Sequence, residues 1–339
     1  MTATDQGSGF DSTLEISDGR FHQLLGPEPE PGFFDPAELE RTWGRRWGAA
    51  DEVGRLRSAL VRSPGEGLAD IRADAYDADL DALVDPDRRW YWTGAKLPDL
   101  DLVRHEHGEL IAALTSEGVE VVTAGEMPRS YTKSVYTRDP LVTVPGGAVI
   151  GRMAARVRRG EEQSIAQTVA NVGMPILGTI TGTGLAEGGS FQKVRPNLAI
   201  FGTSVRCNPE GYRQLSAILA GFGIEVRRVM LPGYLIHLDM AASMLDDDLA
   251  IVNPRLAPYD YMEQLRELGI EMIMADRREE WAVNLLTLDR RRVLLPDHFP
   301  RTAELLEKHG VTVVPVSYRE LLKNGGSVHC STMELQRDW

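Results

Sequence analysis

Five times along this chain a segment with apolar residues three to four apart ends at a glycine, and a short apolar strand follows at once. The joints are Glu117-Gly118-Val119-Glu120-Val121, Val172-Gly173-Met174-Pro175-Ile176, Phe222-Gly223-Ile224-Glu225-Val226, Leu268-Gly269-Ile270-Glu271-Met272 and His309-Gly310-Val311-Thr312-Val313. Glycine there is the left-handed residue on which helices commonly end, so each joint reads as helix, turn, strand. The intervals between these glycines shorten steadily toward the C-terminus but stay of one order, as repeats of a single unit with loops of different length would. A unit that recurs in this way buries its apolar face against its neighbours, and the recurrence governs the architecture. Between the joints run hairpin-like pairs: Leu141–Val144 with Ala148–Ile150, Met244-Leu245 with Leu249–Val252, and Leu285–Leu288 with Val293–Leu295. Leu56–Val61 and Ser331–Leu335 read as two halves of one more unit that closes the chain on itself. The prediction is a ring of five α/β units; a doubly wound α/β sheet is the alternative.

In such a ring equivalent loops converge on the axis, which turns the repeat into a statement about chemistry. Glu187 follows Gly173 at the same interval at which His237 follows Gly223, so the two occupy one phase of the repeat. Asp139 and Cys330 follow Gly118 and Gly310 at longer intervals that nearly match each other. A thiol, an imidazole and carboxylates from distant segments are thereby expected in one pocket. Cys330 offers a nucleophile, His237 a proton carrier, and Asp139, Glu187 and Asp239 a cradle for a small cation, of which a planar guanidinium fits best. Carboxylates around a thiol raise its pKa, and a cationic substrate would reverse that. Arg206 and Arg152 are candidates to hold a substrate carboxylate, whereas Arg158 and Arg159 read as a solvated basic helix start.

Other readings of these residues are set beside this one. Asp139-Pro140 and Glu187-Gly188-Gly189 are also ordinary loop sequences. His237, Asp239, His329 and Cys330 could ligate zinc, but their spacing matches no closed structural site, so no metal is predicted, and the thiol and imidazole chemistry set out above calls for no organic cofactor. His105-Glu106-His107 reads as an exposed helix start. Gly182-Thr183-Gly184 lacks the glycine pattern of a phosphate loop.

Bulk properties narrow the function classes. A net charge of −13 disfavours nucleic acid and anionic membranes as partners. No apolar run reaches the ~18 residues of a spanning helix, and Met1 to Asp11 lacks an apolar signal core. Two cysteines, Cys207 and Cys330, make no disulfide framework, so a cytoplasmic protein is expected. Residues 1–45 are read as an N-terminal arm with a leading helix, the arm running into Pro27-Glu28-Pro29-Glu30-Pro31, and residues 46–339 as a single catalytic domain. A homo-oligomer is left open.

The set Tyr136-Thr137-Arg138-Asp139-Pro140, Arg152-Met153 with Arg158-Arg159-Gly160-Glu161-Glu162, Glu187-Gly188-Gly189, His237-Leu238-Asp239 and Gly325-Gly326-Ser327-Val328-His329-Cys330 resembles the guanidine-modifying, or pentein, superfamily of arginine deiminases, dimethylarginine hydrolases and amidinotransferases. The resemblance spans roughly residues 50–339. It implies a five-bladed pseudo-fivefold α/β propeller and a covalent thiouronium intermediate on Cys330. It further implies that His237 moves protons, that Glu187 orients it, and that Asp139 and Asp239 grip the guanidinium. Cys330 to Asp338 and Arg138-Asp139-Pro140 are similar to arginine deiminases, although the helical insertion many of those carry is lacking. The acid in His237-Leu238-Asp239 departs from the usual bacterial dimethylarginine hydrolases. Ala250–Pro254 and Val283–Leu286 are similar to amidinotransferases. The expectation is an arginine deiminase-like hydrolase of L-arginine or an arginine-like compound, giving a ureido product such as citrulline and ammonia. An amidinotransferase is the alternative, and a non-catalytic binding module the third reading.

Overall fold

The computed structural model describes residues 31–85, 87, 90–233 and 235–339; most of the arm read at residues 1–45 lies outside them. Helix α1 (Pro36–Trp43) starts where the Asp35 carboxylate accepts from the Ala37 and Glu38 N–H groups and stops at Gly44 in the left-handed region. Strand β1 (Leu56–Val61) follows. Next come three short antiparallel strands, β2 (Tyr76–Asp77), β3 (Ala82–Asp85) and β4 (Trp90–Thr93), which form a small sheet of their own. The repeat does not signal this insert, because its strands are two to four residues long and follow an aspartate-rich stretch.

From there the chain keeps to one pattern. Helix α2 (Leu100–Ser116) leads to β5 (Glu120–Thr123). The hairpin β6 (Leu141–Val144) and β7 (Gly147–Ile150) leads through α3 (Glu161–Asn171) to β8 (Ile176–Thr179). Strands β9 (Phe191–Arg195) and β10 (Leu198–Thr203) lead through α4 (Pro209–Ala220) to β11 (Glu225–Met230). Strands β12 (Ala242–Asp246) and β13 (Leu249–Val252) lead through α5 (Tyr259–Glu267) to β14 (Glu271–Met274). Strands β15 (Leu286–Asp289) and β16 (Arg292–Pro296) lead through α6 (Pro300–Lys308) to β17 (Thr312–Val316). A short helix α7 (Arg319–Leu322) precedes β18 (Met333–Arg337). Each unit is a three-stranded blade: an antiparallel hairpin, a helix, and a third strand returning parallel to the second. The last blade is shared between the ends of the chain, because β18 pairs antiparallel with β1, which pairs parallel with β5. That pairing closes a five-bladed α/β propeller, as the two half-units of the sequence required.

All five joint glycines, at 118, 173, 223, 269 and 310, have φ between 71° and 88°, where a side chain would be strained. The first strand of each blade is buried along most of its length, and the third is exposed or half-buried along most of its own, which sets inner and outer edges. Between the inner strands lies a cluster of charge. Glu334 of β18 meets Arg138 at 2.7 Å and Lys193 of β9 at 2.6 Å; Lys193 also meets Glu52 at 3.1 Å. None of these four residues is more than 6% exposed.

One expectation is corrected here. His105-Glu106-His107 lies inside α2, not at an exposed helix start, with Glu106 and His107 buried. Both Glu106 oxygens accept backbone N–H groups of Arg319, Glu320 and Leu321, so this carboxylate holds the N-terminus of α7.

Candidate active site

Each blade sends the loop before its first strand to the same place. Asp139 precedes β6, Glu187 precedes β9, and His237 and Asp239 precede β12. Asn284 precedes β15, and His329 and Cys330 precede β18. Asp139, His237 and Cys330 line a cavity of about 80 Å³ together with Tyr91, Lys133, Arg158, Arg206, Met240 and Trp281.

Glu187 is wholly buried and fully engaged. Its Oε1 accepts from the Ala154 N–H at 2.8 Å and from Arg206 Nε at 3.0 Å; its Oε2 lies 2.9 Å from Arg206 Nη2 and 2.8 Å from His237 Nε2. Burial alone would raise the Glu187 pKa, but the Arg206 charge and the His237 hydrogen bond hold it well below the ordinary carboxylate range. His237 is also buried, which disfavours its charge; nearby Asp139 and then Glu187 outweigh this and leave its pKa raised. Its Nδ1 faces Asp139 Oδ1 at 3.4 Å. Glycine allows that approach: a Cβ at Gly189 would stand 2.7 Å from Asp139 Oδ1 and 2.8 Å from His237 Nδ1.

The opposite wall carries the thiol. Cys330 Sγ lies 3.7 Å from Asp239 Oδ2, and its backbone N–H donates to Asn284 Oδ1 at 3.3 Å. Burial, then Asp239 and Asp139, push the thiol well above its ordinary pKa, which favours its protonated form. Asp239 Oδ2 also accepts from His329 Nδ1 at 2.9 Å, and His329 Nε2 faces Arg138 Nη2 at 2.6 Å. An arginine only donates, so the His329 proton sits on Nδ1. Burial raises the Asp239 pKa, and His329 more than reverses that, leaving it lowered. His237 is extended and Asp239 sits in a short 3₁₀ turn, yet both reach the site.

Two arginine expectations need correction. Arg158 is not solvated: it is 4% exposed, pairs with Asp139 and Glu161, and lines the cavity. Its burial follows from Glu161 three residues on, a wholly buried counter-charge on the same turn. Arg152 is not among the cavity-lining residues. Its N–H pairs with the Ala186 carbonyl, which directs the side chain to the Gly184 carbonyl at 3.2 Å. Arg206 does line the cavity, with Nε and Nη2 committed to Glu187.

Sequence reasoning passed over Asn284 as a site residue. It is wholly buried, bonds the Cys330 N–H, and donates to the Asp239 carbonyl at 3.2 Å. The signal was present, since Asn284 follows Gly269 at an interval just one step longer than those that place Glu187 and His237. The geometry also bears on metals. Asp139, Glu187 and His237 bring ligand atoms within 4.8 Å of one another, but Arg158 and Arg206 already supply positive charge to both carboxylates. That donor set suits an organic cation better than a metal.

What can this arrangement do? Asp139 Oδ1 and Asp239 Oδ1 are buried acceptors that make no hydrogen bond among the described residues, Asp139 Oδ1 having only the 3.4 Å approach of His237 Nδ1, and a thiol and an imidazole of raised pKa stand beside them. Known proteins carry similar chains. A curated N(G),N(G)-dimethylarginine dimethylaminohydrolase of Pseudomonas aeruginosa is 29% identical over 236 residues, covering 70% of this chain and 89% of its own length. A mitochondrial glycine amidinotransferase of Xenopus tropicalis is 24% identical over 156 residues, 39% of this chain and 37% of its own. A mutant of the Pseudomonas aeruginosa enzyme, solved complexed with citrulline, superposes with a TM-score of 0.68 at 24% identity, covering 83% of this chain and 100% of its own. The inosamine-phosphate amidinotransferase of Streptomyces griseus superposes equally well, at 0.68 with 18% identity, over 86% of this chain and 97% of its own. The family described as N,N dimethylarginine dimethylhydrolase, eukaryotic, matches residues 98–337, and to that family, within the pentein superfamily, this chain belongs.

Proposed function

We propose that this chain is a cysteine-dependent hydrolase of the guanidinium group of arginine or an arginine-like compound, giving a ureido product and an amine. The observation that carries the reading is a pair of buried carboxylate oxygens that make no hydrogen bond among the described residues, Asp139 Oδ1 in the cavity wall and Asp239 Oδ1 on the carboxylate that lies 3.7 Å from the Cys330 thiol. A buried acceptor without a donor is costly, and a guanidinium supplies charged N–H donors to both at once. Its positive charge also offsets the carboxylates that keep the Cys330 thiol protonated, so substrate binding itself favours the thiolate.

The thiolate then attacks the guanidinium carbon, and His237, as imidazolium, donates its proton to the departing amine. An S-alkylthiouronium on Cys330 remains. Neutral His237 takes a proton from water, the resulting hydroxide attacks the same carbon, and the C–S bond breaks as the added hydroxyl gives up its proton to solvent, releasing the neutral ureido product and the thiolate. Glu187 holds the imidazole in place through its 2.8 Å contact. Arg206 faces the substrate carboxylate with the Nη1 that Glu187 does not engage.

Amidino transfer to an amine is the second reading. A side chamber of about 140 Å³ shares Met240 and Trp281 with the substrate cavity and is bordered by Asn284, room for an incoming amine. Incubating the chain with L-arginine or Nω,Nω-dimethyl-L-arginine, with and without glycine as acceptor, separates the readings. Ureido product without acceptor is expected. Amidino transfer seen only with glycine would establish the second reading, and no attack on any guanidine would overturn both.

A further inference from the structure

Lys133 is an unusual lysine. It is 8% exposed, it lines the substrate cavity, and no carboxylate lies within ion-pair distance of it among the described residues. Two of its three N–H donors go to backbone carbonyls, Tyr91 at 2.9 Å and Asn324. These acceptors satisfy hydrogen bonds but bring no opposing charge. Its Nζ also lies 4.1 Å from the centre of the Tyr91 ring. The other two cations of the cavity are neutralised, Arg158 by Asp139 and Glu161, Arg206 by Glu187. A buried ammonium without a counter-ion is held at a cost. Burial and the charges of Arg158 and Arg206 accordingly pull the Lys133 pKa well below its ordinary value.

Tyr91 completes the wall. It belongs to β4 of the inserted sheet, ahead of the family match at residues 98–337. The Lys133 ammonium ties its carbonyl to that of Asn324, the residue before Gly325-Gly326. Gly325, at φ +90°, leaves room for the Tyr91 phenol, which a Cβ would overlap. The glycine pair ahead of Cys330 thus seats a side chain of the insert against the cavity.

We propose that Lys133 and Tyr91, beside Arg206, form the subsite for the carboxylate of an amino-acid guanidine, and that they set specificity for such substrates. The assignment rests on the hydrolase reading above and deepens it. An arriving carboxylate supplies the counter-ion that Lys133 lacks and accepts a hydrogen bond from the Tyr91 hydroxyl, for which no protein partner is seen among the described residues.

The test compares L-arginine with agmatine, the same guanidine without the carboxylate, as substrates or as ligands competing with the best substrate. Lys133→Met should raise the KM or Ki for L-arginine about 30-fold or more with kcat within roughly threefold, and leave agmatine within about threefold. Lys133→Arg should recover much of the loss. Tyr91→Phe keeps the ring beneath the ammonium and should cost L-arginine alone about fivefold, so it decides the matter if Lys133→Met fails to fold. Equal losses for both ligands, or no loss for either, overturn the subsite and leave the hydrolase standing. If the unaltered chain neither turns over nor binds any guanidine, the hydrolase reading falls and the subsite with it.

Discussion

Arg138 touches two clusters of buried charge, and they are completed differently. On the side of the inner strands, Glu334 and Glu52 are matched by Arg138 and Lys193. On the side of the thiol, Asp139 and Asp239 each retain an oxygen that makes no hydrogen bond among the described residues, and Lys133, in the cavity wall, lacks a carboxylate. The first cluster answers its own charges and joins β9 to β18 between the blades. The second is complementary to something that carries both a cationic plane and an anion. Desolvated charge is costly in either place; only the second arrangement leaves that cost for a ligand to relieve. Arg138 links them, with Nη1 on Glu334 and Nη2 on His329, which in turn donates to Asp239.

The largest effect should come from the open cluster. Cys330→Ser removes the proposed nucleophile while keeping its shape, and turnover should fall by ~10⁴-fold or more, with guanidinium binding retained. Mass spectrometry of the quenched unaltered chain should find the substrate's amidino carbon on Cys330. Substantial turnover by the serine variant would remove Cys330 from the chemistry. In the closed cluster the same scale of damage should appear as stability. Glu334→Ala leaves Arg138 and Lys193 to share Glu52 and should cost about 3–5 kcal/mol in denaturant unfolding, while Glu334→Leu with Lys193→Met should recover part of it. Acid should act there as well. The Glu334 carboxyl is held well below its ordinary value by Arg138 and Lys193 against the opposing effect of burial. A depressed folded pKa gives stability that is present above the unfolded value of ~4.3 and lost as pH falls through the folded one. The double variant should therefore lose less stability on acidification, and an unchanged acid slope would show that the pairing is not what resists protonation.

Glu187→Gln tests how the two walls of the cavity communicate. The Glu187 charge helps to raise the His237 pKa, so the imidazolium persists above ~6.5 and the alkaline limb of kcat lies above that value. Neutralising Glu187 should shift that limb toward acid and lower kcat about 10- to 100-fold. A limb that stays in place would mean that another group titrates in it.

Much of this was legible because the fold repeats. Five left-handed glycines, three hairpins and the pairing of the chain's two ends each had a local signature, and Asp139, Glu187, His237, Asp239 and Cys330 do converge on one site. What escaped depends on contacts without such a signature. Arg158 reads as surface until Glu161 is seen facing it across one turn. Glu106 reads as exposed helix until α7 is found resting on it. Arg152 was placed by residue type alone, and a backbone bridge to Ala186 directs it elsewhere. Tyr91 arrives on an insert whose short strands lie outside the repeat.

Asn284 makes the finest comparison, because it belongs to the site by position and to the scaffold by its bonds. It occupies the place in its blade that Glu187 and His237 occupy in theirs, yet it offers no charge. One end holds the Cys330 N–H and the other the Asp239 carbonyl, so it fixes the distance between Cys330 and Asp239 without touching the thiol or the carboxylate. Asn284→Ala should therefore lower kcat about tenfold and leave KM for the guanidine nearly unchanged, with a stability loss of about 1–3 kcal/mol for the unpaired groups. Asn284→Asp keeps the acceptor for Cys330 and loses the donor to Asp239. If the amide acts only by positioning, the aspartate should recover part of the loss in kcat, but its added charge should raise the thiol pKa further. A kcat unaffected by either change would make Asn284 a buried structural amide and nothing more.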